Sequence, residues 1–125
     1  MSELIVSATA STPEVEYSVK SLVQRITGVS TPVDSVEFYS PIIQWVNQNV
    51  DALPENSVFE FELNYFNSSS MKALVWLLQQ IEELILSGKK WTIQWIIVED
   101  DEFMEEAAEA MQTLLEVPVM VVRRS

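Results

Sequence analysis

Cysteine and histidine are both absent from the 125 residues. Without thiols there is no disulfide, no thiolate nucleophile and no zinc–thiolate site. Without imidazole there is no Ser-His-Asp triad, and the usual general base and metal ligand at neutral pH are missing. Only two glycines occur, Gly28 and Gly88, which excludes a glycine-rich phosphate loop. Positive charge is scarce too: seven Lys and Arg stand against nineteen Asp and Glu, a net charge of -12 that repels nucleic-acid phosphates and anionic lipid. Lys89-Lys90 and Arg123-Arg124 are pairs, not a basic patch. No apolar run reaches 18 residues, and Met1-Ser2-Glu3 lacks the basic start of a secretory leader. The expectation is a cytoplasmic protein with no membrane insertion, no nucleic-acid partner, no cofactor and no metal.

What is present is apolar residue in regular spacing. With 48% hydrophobic residues the chain can close one core, so residues 1–125 are expected to form a single domain. Leu4 to Val6, Glu14 to Val19 and Leu22 to Thr27 read as short strands joined by tight turns, with Gly28 ending the third. Asp34 is placed to cap a helix carrying Phe38, Ile42, Trp45, Val46, Val50 and Leu53 at helical spacing. Val58 to Phe66 alternates, with Phe59, Phe61, Leu63 and Tyr65 on one face and Glu60, Glu62 and Asn64 on a solvated one. A helix over Met71 to Leu86 follows, then a strand through Trp91, Ile93, Trp95 and Ile97, then a third helix with Phe103, Ala107, Met111 and Leu114 on one face. A strand over Val117 to Val122 comes last. Strand–helix alternation implies parallel strands with right-handed crossovers. The fold expected is α/β: a mixed sheet of five or six strands in sequence order, an antiparallel N-terminal hairpin, and helices mainly on one face.

In such a sheet the loops leaving parallel strands collect along one edge, where sites form. Those loops are Gly28 to Val33, Asn67 to Ser70 and Glu99 to Glu102. The segment Tyr65-Phe66-Asn67-Ser68-Ser69-Ser70 puts three hydroxyls where a strand stops and a helix starts. Orphan N–H groups there accept a side-chain cap or a phosphate. Residue chemistry alone favours the cap. The carboxylates Glu99, Asp100, Asp101 and Glu102 are consecutive, unlike the alternating ligands of a calcium loop, and suit a helix first turn or a protein-docking surface. Glu60 and Glu62 could serve as an acid/base pair but read as solvated strand decoration. Trp76 lies beside the apolar stripe of its helix and is a candidate interface anchor or a peripheral packing residue.

These residues carry a resemblance that spans nearly the whole chain. The stretches Thr12-Pro13-Glu14-Val15, Gly28-Val29-Ser30-Thr31-Pro32, Phe38 to Trp45, Tyr65 to Ser70, and Trp95 with Glu99 to Glu102 resemble motifs of the SiaC-type regulatory phosphoproteins. That family's fold is similar to the STAS domains of anti-sigma-factor antagonists. Two differences stand out: Ser68 replaces the family's usual Thr, and Thr31-Pro32-Val33-Asp34 replaces an aromatic followed by Pro-Glu-Asn. The resemblance implies phosphorylation at Ser68 within the motif Tyr65, Asn67, Ser69 and Ser70, by a Ser/Thr kinase, with removal by a metal-dependent phosphatase. It implies a non-enzymatic partner switch whose unphosphorylated form binds and activates a diguanylate cyclase, raising cyclic di-GMP and favouring biofilm. Ser30, Pro32, Trp76, Glu99, Asp100, Asp101 and Glu102 are the expected partner-binding residues. Two other classes remain open: a small-molecule or lipid-binding STAS-like module, and an enzyme using carboxylates and Mg²⁺.

Overall fold

The computed structural model describes residues 3–125; the reading of the first residues as no leader falls partly on Met1 and Ser2, outside that range. The order is β1 (Glu3–Val6), β2 (Glu14–Ser18), β3 (Val23–Ser30), α1 (Ser35–Gln48), β4 (Val58–Phe66), α2 (Ser68–Leu86), β5 (Thr92–Val98), α3 (Glu102–Leu114) and β6 (Val119–Arg124). The six strands form one sheet in sequence order, β1-β2-β3-β4-β5-β6. The first two pairings are antiparallel and the remaining three parallel, because a loop over residues 7–13 and a turn after Ser18 join the early pairs and a helix joins each later one.

One hydrophobic cluster joins the inward residues of β2 to β6 to all three helices. It includes Tyr17, Ile26, Phe59, Phe61, Ile93 and Trp95 from the sheet, Tyr39, Ile42 and Val46 from α1, Leu74, Leu78 and Ile81 from α2, and Met104 and Met111 from α3. The helices therefore cover one face, and among the described residues no helix packs on the other. Among the described residues no helix is long and apolar enough to cross a membrane.

The open face is held by charge. Glu60 is only 4% exposed, so its reading as solvated decoration is corrected: Arg25 on β3 bonds one of its oxygens and Arg124 on β6 reaches the other at 3.3 Å. Arg124 also meets Glu62 at 2.6 Å, so its stem crosses β5 on the face where Ile96 is buried. A carboxylate is tolerated there because both its oxygens accept charge-assisted bonds.

Several boundaries and faces differ from the sequence expectation. Gly28 does not end β3; with φ of 121° it sits where the pairing slips from Gly28↔Leu63 to Val29↔Tyr65, and the strand continues to Ser30. Asn64 is left without a partner in that ladder, the alternation of β4 is broken, and Tyr65 turns outward at 49% exposed while Phe66 takes the buried place. Helix α1 stops at Gln48, so Val50 and Leu53 pack from the turn beyond it. In α3 the buried face is Met104, Ala107, Ala108 and Met111, and Phe103 and Leu114 are exposed. Strand β6 runs two residues later at both ends than the expected Val117 to Val122.

Glu60→Ala is expected to lower unfolding free energy by about 2 kcal/mol in urea titration, since it strips Arg25 of its partner and removes a bridge between β4 and β6. A loss below a few tenths of a kcal/mol would mean that the stripe contributes only as an exposed pair does.

Candidate functional site

Three strand-to-helix junctions meet at the carboxyl edge of the parallel strands, and the central one is built around Asn67. Its backbone is extended, at φ -88° and ψ 176°, and its N–H donates to the carbonyl of Ser30 at 3.3 Å, tying the end of β4 to the end of β3. Its Oδ1 accepts from the N–H of Ser70 at 2.9 Å, the geometry of a helix N-cap. Helix α2 therefore starts at Ser68, three residues before the expected Met71, and Asn67, not a serine, is the cap.

That shift sorts the three hydroxyls. Ser70 is fully buried, whereas Ser68 and Ser69 are exposed. Ser69 Oγ donates to Asn67 Oδ1 at 3.1 Å and meets Ser35 Oγ at 3.0 Å; Ser70 Oγ meets Ser35 at 3.4 Å and accepts from Ser30 Oγ at 3.0 Å; Ser30 meets the hydroxyl of Tyr39 at 2.6 Å. Each hydroxyl has one proton, so fixing one donor fixes its neighbours. Ser69 gives its proton to Asn67 and must accept from Ser35; Ser30 gives its proton to Ser70 and must accept from Tyr39. The protons run one way, from Tyr39 through Ser30, Ser70, Ser35 and Ser69 to Asn67. Such a directional chain strengthens itself in a low-dielectric interior. Among the described residues the Ser68 hydroxyl has no hydrogen bond, and the N–H groups of Ser68 and Ser69 have no acceptor.

The surroundings have two characters. On the α1 side an open groove of about 490 Å³ is lined by Val33, Asp34, Val36, Ser69, Lys72 and Trp76, with Trp76 38% exposed. On the α3 side Tyr65 stacks on Phe103, centroids 5.2 Å apart, and Phe103 also packs on Phe66 at 5.1 Å. There the acidic residues form the β5–α3 junction: Glu99 adopts φ 56°, its N–H bonds the carbonyl of Arg124 at 2.6 Å, and Asp101 caps α3 through the N–H of Met104 at 3.1 Å. Among the described residues no acidic cluster is arranged to hold a metal ion.

Of the expected partner-binding residues, Trp76, Glu99, Asp100 and Glu102 are exposed and Asp101 is partly so. Ser30 and Pro32 are buried, Ser30 inside the hydroxyl chain and Pro32 in the wall of an apolar groove. The surface of that junction is Val33 and Val36. Ser35, Tyr39 and Lys72 were not singled out by sequence. A Ser and a Tyr four apart on the inward face of α1 carried a signal for the first two, because buried hydroxyls need partners. A second apolar groove, about 560 Å³, is lined by Leu4, Val6, Pro32, Val33, Phe38, Pro41 and Ile42 together with Asp34 and Glu37.

Comparison with known proteins decides the family. The model of the SiaC family of regulatory phosphoproteins matches residues 6–124. The chain belongs to this family. It is similar to SiaC of Pseudomonas aeruginosa, at 25% identity and a TM-score of 0.87, with 99% of this chain and 100% of that one covered. It is equally similar to SiaC in a crystal structure of the P. aeruginosa diguanylate cyclase SiaD with its activator SiaC: 25% identity, TM-score 0.87, 97% and 99% covered. An uncharacterized protein of P. aeruginosa strain UCBPP-PA14 is 28% identical over 109 residues, 87% of this chain and 86% of that protein.

Burial pushes the phenol of Tyr39 up to about 12, opposed in part by the Ser30 hydroxyl, and burial likewise raises Tyr17. A raised folded value favours the neutral form, so this stability is whole below the unfolded tyrosine value of about 10 and is lost as pH climbs through the folded one. Denaturant titrations should give a flat stability to about pH 10 and a steep decline to about pH 12. Tyr39→Phe should cost about 1 kcal/mol at neutral pH, for the lost hydrogen bond, and make the alkaline decline shallower. An unchanged slope would show that Tyr39 does not titrate on unfolding.

Proposed function

We propose that this SiaC-family chain is a non-enzymatic partner switch in the cytoplasm, controlled by reversible phosphorylation of Ser68. Its unphosphorylated form binds and activates a diguanylate cyclase, so that cyclic di-GMP and biofilm formation respond to its state. A Ser/Thr kinase adds the phosphate and a metal-dependent phosphatase removes it. The carrying observation is the Ser68 hydroxyl, exposed at the first residue of α2 and free of hydrogen bonds, beside two serines whose hydroxyls are engaged. Family membership and the likeness to SiaC, the activator in the SiaD complex, support the choice of partner.

The physics of the switch is charge at a contact. Phosphate adds about -1.5 to -2 charges where a neutral hydroxyl stood. The free N–H groups of Ser68 and Ser69 and the helix dipole accommodate it within the free protein. A partner surface fitted to a hydroxyl must bury a dianion, which costs several kcal/mol without cations to receive it. About 3 kcal/mol weakens binding more than a hundredfold. Groove and aromatic pair on either side, with Trp76, Tyr65 and Phe103 exposed, are the contact surface of this reading.

Ser68→Ala should bind the cyclase as the unmodified protein does and activate it, and Ser68→Glu should lose at least tenfold in affinity. Equal affinity of the two variants by titration calorimetry would count decisively against the switch. The apolar groove between β1 and α1 favours a second reading, a small-molecule or lipid-binding module. Native mass spectrometry of protein purified from its own cells separates the two, since a module should retain a ligand and a switch should not.

A further inference from the structure

Cations are scarce in this chain, and most of them are already engaged. Of the seven, Arg25 and Arg124 hold Glu60, Lys89 meets Asp51, Lys90 meets Glu55 and Arg123 holds Glu105. Among the described residues only Lys20 and Lys72 make no ion pair. Lys20 lies between β2 and β3, at the start of β3, whereas the site forms around the end of that strand. Lys72 lies on α2 four residues after Ser68, exposed, and it lines the groove with Ser69 and Trp76.

Four residues along a helix bring two side chains onto one face, with Cβ atoms about 5–6 Å apart. The order matters: an anion that precedes a cation by four residues suits both the pair and the helix dipole. A phosphate on Ser68 would have three oxygens to satisfy, and the first turn offers only the N–H groups of Ser68 and Ser69, since that of Ser70 already serves Asn67. The charged groups beyond are mostly acids: Asp34 and Glu37 at the head of α1, and Glu99, Asp100, Asp101 and Glu102 at the β5–α3 junction. Lys72 is the one unengaged cation within a helical turn.

We propose that Lys72 is the internal counter-ion of a phosphate on Ser68. Modification then changes the edge twice, because it adds a dianion and draws the groove's only cation toward it. In the unmodified protein Lys72 lines the groove together with Asp34, Val36 and Trp76, and among the described residues no carboxylate lies within ion-pair distance of its ammonium group. The inference rests on Ser68 as the modified residue and concerns what the phosphate does inside the protein, not what it does to a partner.

The test uses full-length protein with phosphoserine installed site-specifically at position 68, in the wild-type background and in Lys72→Gln and Lys72→Arg. Titration by ³¹P NMR reads the second phosphate ionisation, which lies near pH 6 in a free phosphoserine. Wild type and Lys72→Arg should titrate roughly 0.3 unit or more below Lys72→Gln at low ionic strength, and the difference should shrink in 1 M salt, where the screening length is about 3 Å. Equal titration of wild type and Lys72→Gln, or no recovery in Lys72→Arg, would overturn the proposal. Cyclase affinity of the same phosphoproteins is read separately. A normal NMR shift with undiminished cyclase binding would sink the partner switch and leave the counter-ion standing; the reverse pattern would do the opposite.

Discussion

Asn67 Oδ1 accepts two protons, from the N–H of Ser70 and the hydroxyl of Ser69, and that double acceptance governs the whole edge. It starts α2 at Ser68, gives the proton chain from Tyr39 an end point, and decides which serine is left free. Were Ser69 or Ser70 the cap, the helix would begin later and a different hydroxyl would stand at its head. The capping residue also connects the ends of β4 and β3 through its N–H and the Ser30 carbonyl. One residue thus ties the end of β3 to the head of α2, its backbone N–H meeting Ser30 and its side chain meeting Ser69 and Ser70, and through Ser69 it reaches Ser35 on α1.

The scaffold around this edge is arranged to hold it still. All three helices cover one face of the sheet, and the other is bridged by Arg25, Glu60, Glu62 and Arg124 from β3, β4 and β6. In the proposed switch, a hydroxyl presented on a fixed helix end is discriminated from a phosphate to the extent that the packed scaffold does not shift to accommodate the added charge. With a net charge of -12 the protein repels most anionic surfaces in any state, so in the proposed reading selection among partners falls to local contacts: the exposed Val33, Val36 and Trp76 on one flank and the Tyr65–Phe103 stack on the other.

Much of the architecture was legible in the spacing of apolar residues. Periods of two and about 3.6 located every strand and helix, and helix crossovers between strands dictated the parallel half of the sheet in sequence order. What spacing could not carry were features made by pairs distant in sequence. The slip between β3 and β4 at Gly28 reverses Tyr65 and Phe66, and nothing in either strand alone announces it. Glu60 is buried only because Arg25 and Arg124 arrive from other strands, 35 and 64 residues away. Ser30 and Pro32 read as loop surface because the strand was ended at Gly28; two further residues of pairing carried Ser30 into the interior. At the helix head, the hydroxyl cluster was visible while its division of labour was not, since Ser35 and Tyr39 come from a different helix.

The central claim is that one hydroxyl of three is open to modification, so phosphosite mapping of the intact protein from its own cells tests it most directly. Ser69 and Ser70 hold their protons in a chain that reaches the core, and Ser68 does not. A single phosphate on Ser68, with Ser69 and Ser70 unmodified, is the predicted result. Phosphate on Ser69 or Ser70 in place of Ser68 would contradict the account.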